Sequence, residues 1–267
     1  MNTPTMLSLE AMPPDVRRAL ACRIDRATFS RIAGITPDPW QARLLRSNHP
    51  RILVNCSRQS GKSTTMGTLA LHQALYEPGS LTLIVSPTQR QSGELFRKML
   101  DVYRRLGKSI TVNAESDTAL TLELANRSRI VALPGKEGTI RSYSAVSLLL
   151  LDEAAKIANE LYLSVRPMLA VSQGRMIAAS TPFGKRGWWY EAWRGAHDGT
   201  QDWDYYFVTA NECPRITAEF LADEKRDIGD WWFAQEYEGA FLDAESSAFR
   251  DADIQAALSD EVELWDV

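Results

Sequence analysis

The chain has 267 residues, is 45% hydrophobic and carries a formal net charge of −4, which allows one large domain or two small ones with ample core. No apolar run nears the roughly 18 residues that a membrane helix needs, and the first residues lack a signal-peptide core. Three scattered cysteines (Cys22, Cys56, Cys213) fit neither a zinc site nor a disulfide framework and point to a reducing setting. The charge is uneven. Residues 1–150 hold 20 basic against 11 acidic side chains, net +9; residues 151–267 hold 10 against 23, net −13. A basic first half permits a polyanion-binding surface and does not by itself require one.

Residues 1–37 read as a partly amphipathic helical arm without chemistry. A short helix follows Pro37-Asp38-Pro39, carrying Trp40 and Gln41. The Gln41 amide can donate to and accept from an adenine edge, with Trp40 packing nearby; the alternative is a helix start with a buried Trp. Next comes Arg51–Ser63, RILVNCSRQSGKS. Ile52, Leu53 and Val54 read as a strand buried on both faces. Gly61-Lys62-Ser63 opens a helix whose apolar face is Met66, Leu69, Ala70 and Ala74. Strand, polar loop, GKS and helix make up a phosphate-binding loop. Its first-turn N–H groups have no intrahelical partner and sit at the positive end of the helix dipole. Lys62 can then reach the β- and γ-phosphates, and the Ser63 hydroxyl can ligate Mg²⁺. Backbone and side chains of Ser57, Arg58, Gln59, Ser60, Gly61 and Thr64 complete the expected cradle. The usual first glycine of that pattern is Cys56 here.

Leu81–Val85 predicts a second strand, and Gln89–Leu106 an 18-residue helix bearing Arg97, Lys98, Arg104 and Arg105. Residues 119–133 alternate as a hairpin turning at Asn126-Arg127-Ser128, with Arg129 beside the turn. The Gly-rich stretch Pro134–Arg141 reads as a surface loop. Ser147–Leu151 is an apolar strand closing on Asp152-Glu153. At the carboxyl end of a buried strand, Asp152 would hold Mg²⁺ through water, and Glu153 would polarise the attacking water. The competing reading is an acidic start to the next helix. Arg175–Ser180 predicts another strand, ending in Ser180-Thr181. An aromatic helix follows at Trp188–Trp193, then a strand at Trp203–Val208. Two acidic helices are expected at Thr217–Asp227 and Asp230–Tyr237.

Taken in order from Trp40 to Phe249, these motifs resemble the ATPase domain of a tailed-phage terminase large subunit. The loop with Arg58 and no first glycine resembles that family's deviant Walker A. Leu148–Glu153 resembles its Walker B with catalytic Glu, Ser180-Thr181 its coupling motif, and Gln235-Glu236-Tyr237 its lid. The resemblance implies a three-layer α/β P-loop NTPase of the ASCE/RecA-like type, with a mostly parallel central sheet flanked by helices and a small C-terminal lid. In residue numbers this is an arm at 1–37, an ATPase core at 38–200 and a lid or linker at 201–267, with no nuclease domain expected. It further implies ATP and Mg²⁺, double-stranded DNA, a homo-oligomeric ring of five subunits, a portal protein, a small terminase subunit, and a place in the host cytoplasm without membrane contact. Arg141 becomes the candidate arginine finger in trans and Arg58 the candidate in cis. Arg97, Lys98, Arg104, Arg105, Arg127 and Arg129 are the candidate DNA contacts. A superfamily 2 type helicase and a nucleotide-dependent assembly protein are the rival readings.

Overall fold

A computed structural model describes residues 12–107, 114–118, 120–135, 140 and 142–242. The chain opens with helices α1 (Pro14–Ile24), α2 (Arg26–Ile32) and α3 (Pro39–Arg46). Asp25 separates the first two and caps the second: its Oδ1 accepts from the Ala27 N–H at 3.0 Å. The same carboxylate takes a two-pronged contact from Arg46, at 2.8 and 3.0 Å, and so ties α2 to α3. Cys22, Ala27, Phe29 and Ala33 are buried in the main core. Helix α2 is thus packed into the core, while α1 is mostly exposed and buries Cys22.

The sheet is built from β1 (Arg51–Cys56), β2 (Leu81–Ser86), β3 (Ala114–Thr118), β4 (Thr121–Leu124), β5 (Arg129–Pro134), β6 (Leu148–Asp152), β7 (Arg175–Ser180) and β8 (Asp204–Val208). Its eight strands run in the order β3-β4-β5-β2-β6-β7-β1-β8. The six from β5 to β8 are mutually parallel; β4 is antiparallel to β5 and to β3. Parallel strands covered on both faces become near-continuous apolar runs, and β2 and β6 are buried at every position. The period of two sends alternate residues to opposite layers. Ile52, Val54, Leu150 and Ile177 meet helices α2 to α5; Leu53, Leu149, Leu151 and Met176 meet α6 (Asn159–Val165) and α7 (Gly187–His197) on the other face.

Helix α4 (Lys62–Tyr76) is buried all round from Thr65 to Leu75, not on one face only. It lies between the sheet and the α2 and α5 helices, so even His72 and Gln73 are covered. Helix α5 (Gln89–Leu106) has the predicted bounds. Strand β3 carries no apolar alternation, so no pattern in the sequence predicts it. Strand β8 pairs in parallel with β1 from Ile52↔Asp204 to Cys56↔Val208. The sheet therefore runs past residue 200, and a boundary at 201 would cut a strand out of it. Beyond β8, α8 (Ala218–Glu236) packs on a small separate cluster of Ala210, Leu221 and Phe233. Gly229, with φ of 79°, breaks α8 where the two acidic helices were expected to part.

Candidate active site

The carboxyl ends of β1 and β6 face one crevice, the position at which open parallel sheets place ligands. The loop after β1 is held from behind by backbone bonds. Ser57 N–H donates to Val208 O at 2.9 Å and Arg58 N–H to Glu236 O at 3.0 Å. The Asn55 amide donates to Gly239 O at 2.9 Å. Gly61 takes φ of 90°, which favours glycine, and a Cβ there would lie 2.5 Å from Gln41 Nε2. Cys56 needs no such freedom. It is the last residue of β1 and fully buried, so a side chain is accommodated where the usual pattern has glycine.

A cavity of about 510 Å³ opens over this loop. Its lining includes the whole run from Arg58 to Thr64, then Glu153 and Lys156, with Gln91 and Lys98 from α5 and Arg215 from beyond β8. Lys62 Nζ lies 2.7 Å from Glu153 Oε1, and Lys156 Nζ lies 3.6 Å from Oε2. Glu153 has φ of 52° and ψ of 45°, left-handed for a non-glycine residue. Such backbone is costly and concentrates at functional sites. Burial would raise the Glu153 carboxyl, but Lys62, Lys156 and Arg58 outweigh it and hold it below the usual range. Burial likewise opposes the Lys62 charge, and the anionic side chains around it more than reverse that, so Lys62 stays protonated.

Asp152 ends β6 almost fully buried. Burial pushes its carboxyl up to about 6 against the pull of Lys62, and its Oδ1 is a buried acceptor without a partner. A hard cation held through water would satisfy it. Mg²⁺ is commonly bound by one or two carboxylates together with phosphate oxygens and water. Ser63 supplies a hydroxyl from the cavity wall.

Other predicted residues occupy different roles. Ser57 is fully buried and does not line the cavity. Trp40 is a core side chain. Gln41 is spent on support: its Oε1 accepts from the Asp38 N–H at 2.8 Å and its Nε2 donates to Ser60 O at 3.2 Å. Neither Trp40 nor Gln41 lines the cavity. Ser180 Oγ accepts from Ala155 N–H at 3.2 Å, joining the end of β7 to the turn after Glu153, and Thr181 is buried beside it. Arg58 forms an ion pair with Glu236 at the end of α8. Arg141 lies outside the described residues, as does Phe249.

Arg215 escaped sequence reading. It grips Asp38 through two bonds of 2.9 and 2.7 Å and also donates to Ser60 O at 3.2 Å. Only the pairing of β8 with β1 brings it there. A second, more apolar cavity of about 460 Å³ adjoins the first, sharing Gln59 and Arg215 and walled by Ile216, Thr217, Phe220 and Tyr237.

A family model described as "Terminase large subunit, T4likevirus-type, N-terminal" matches residues 53–256. The chain belongs to this family. The terminase large subunit of Thermus phage G20c is 26% identical over 257 residues, covering 85% of this chain and 53% of that protein, so the chain spans about half the length of that relative. The large terminase ATPase domain of Thermus phage P74-26 superposes with a TM-score of 0.71 at 24% identity, over 80% of this chain and 97% of that one. The large terminase of another thermophilic bacteriophage, in complex with ADP, gives 0.59 at 13% identity, over 82% and 52%. The terminase fold is thus the three-layer P-loop ASCE type, here with β7 interposed between β1 and β6.

Proposed function

We propose that this terminase chain hydrolyses ATP and that the hydrolysis moves double-stranded DNA into a procapsid. The observation that carries the reading is the meeting of Lys62 and Glu153 at 2.7 Å over a glycine-turned phosphate loop, both lining one cavity. The triphosphate lies along Arg58–Thr64, its γ end toward Glu153. The base enters the apolar cavity of Phe220 and Tyr237, which replaces Gln41 as the expected base contact. Bound Mg²⁺, held by Ser63 and by Asp152 through water, would neutralise charge on the β- and γ-oxygens. Lys62 leaves Glu153 for the phosphates, and the freed carboxylate oxygen accepts a hydrogen bond from water. A bond forms between the water oxygen and the γ-phosphorus as the bond to the bridging oxygen breaks. ADP departs with the electron pair, and the water proton passes to Glu153 or to the phosphate product.

Arg58 stands at the cavity rim as the cis arginine, and Arg141 is kept as the finger from a neighbouring subunit in a ring. The portal and the small subunit belong to the same reading, as does action in the host cytoplasm. Replacement of Lys62 by alanine should lower ATP turnover at least a hundredfold, measured as phosphate release. Unchanged turnover would end the hydrolytic reading.

A further inference from the structure

Each oxygen of Glu153 has its own cation: Lys62 at 2.7 Å on Oε1 and Lys156 at 3.6 Å on Oε2. The first is due to leave, because the triphosphate draws Lys62 away. We propose that Lys156 is the positioning residue that then holds Glu153 in place, by keeping Oε2 while Oε1 turns to the water. This rests on the hydrolytic reading above.

Lys156 ends the short 3₁₀ turn Ala154–Lys156, whose N–H donates back to Glu153 O at 2.9 Å. The turn is pinned from below by the bond from Ala155 N–H to Ser180 Oγ. The lysine stem therefore starts from a fixed point, and its head lies 5.9 Å from the centre of the Phe183 ring. That ring, three residues beyond Ser180, is shared with Arg186 at 5.4 Å on the same measure. A cation over an aromatic face is attracted by the ring quadrupole. Lys156 is only about one-third exposed and lines the cavity beside Glu153. Without it, a carboxylate on left-handed backbone, stripped of Lys62, would keep no ion-pair partner among the described residues to choose its rotamer. Misplacement of a reacting group by about 1 Å can cost on the order of a hundredfold.

The test compares Lys156→Met, which keeps length and removes charge, with Lys156→Arg, by steady-state ATP turnover, binding of ATP-γ-S and thermal melting. The positioning role predicts that Lys156→Met loses about tenfold in kcat, with KM, analogue binding and Tm near those of the unaltered chain. Lys156→Arg should restore most of the rate. Unchanged kcat in Lys156→Met overturns the proposal. So does a raised KM at constant kcat, which would make Lys156 a phosphate contact, and so does an equal loss in both variants with a lowered Tm. Glu153→Gln is the internal control. If it turns over ATP as fast as the unaltered chain, the hydrolytic reading fails and takes the proposal with it. An inactive Glu153→Gln beside a fully active Lys156→Met rejects the positioning role alone.

Discussion

Among single residues, His72 shows how far burial sets charge. It sits on α4 against Phe29 and Tyr76, with Nε2 3.0 Å from Cys22 O. The ring is therefore the donor in that contact and is neutral. Burial, with help from Arg26, lowers its pKa from 6.5 to about 4. The folded state then binds fewer protons than the unfolded one between those values. The stability it contributes is present above about pH 6.5 and is lost as pH falls toward 4. At pH 5 the loss is about 2 kcal/mol. Asp152 acts in the opposite sense over an overlapping range, since its folded pKa is raised to about 6, so the unaltered chain shows only the difference. His72→Gln keeps a donor for Cys22 O and does not titrate. Denaturant unfolding at pH 8 and pH 5 should show the variant losing about 2 kcal/mol less than the unaltered chain. Equal losses would mean that His72 is already charged in the fold.

At the level of elements, the parallel strands were plain in the sequence because burial on both faces makes them mostly apolar: Ile52–Val54, Leu81–Val85 and Arg175–Ser180 lie on strands, and Ser147–Leu151 does from Leu148 onward. The candidate residues Lys62, Ser63 and Glu153 follow those strands and line one cavity, with Asp152 ending β6 beside Glu153. What local pattern cannot hold is adjacency between distant elements. Arg215 and Lys156 look like ordinary surface cations until β8 is paired with β1 and the turn after β6 is folded onto Ser180. The Gln41 amide is spent on capping its helix and on Ser60 O, a use that local pattern does not show. Loop and lid meet in the same hidden way, through Arg58 and Glu236. If Arg58 takes the cis role proposed above, this pair must break before Arg58 can meet the γ-phosphate. The Arg58 side chain is 58% exposed, so solvent screening limits the pair to roughly 0.2–1 kcal/mol. Glu236→Ala should then lower the KM for ATP by about 1.4- to fivefold, read from a substrate titration. A higher KM would show that Glu236 supports the nucleotide contact and does not compete with it.

Across the whole molecule, the sheet separates two kinds of positive charge that the sequence had grouped. Lys98 faces the cavity at the carboxyl edge, beside Glu153. Arg129 pairs with Leu81, the first residue of β2, and so lies at the opposite, amino edge, with Arg127 in the turn before it. Arg104 and Arg105 close α5 and, with Arg127 and Arg129, are exposed. Among the described residues, Arg97 and Arg104 pair with Glu94 and Asp101 one turn away on the same helix, in ion pairs weak enough for phosphates to displace. If DNA lies along this edge, binding and hydrolysis occupy different ends of the strands, and the sheet itself must carry the coupling. The triple change Arg104→Ala, Arg105→Ala, Arg129→Ala should weaken duplex binding without regard to sequence. It should also reduce the magnitude of the slope of log affinity against log salt by about 2.7, near 0.9 for each phosphate no longer neutralised. ATP turnover in the absence of DNA should stay as it was. Lys98→Ala should do the reverse, leaving the salt slope intact and raising the KM for ATP. A triple variant with an unchanged salt slope would remove the amino edge from the path of the DNA and leave the basic first half of the chain without that role.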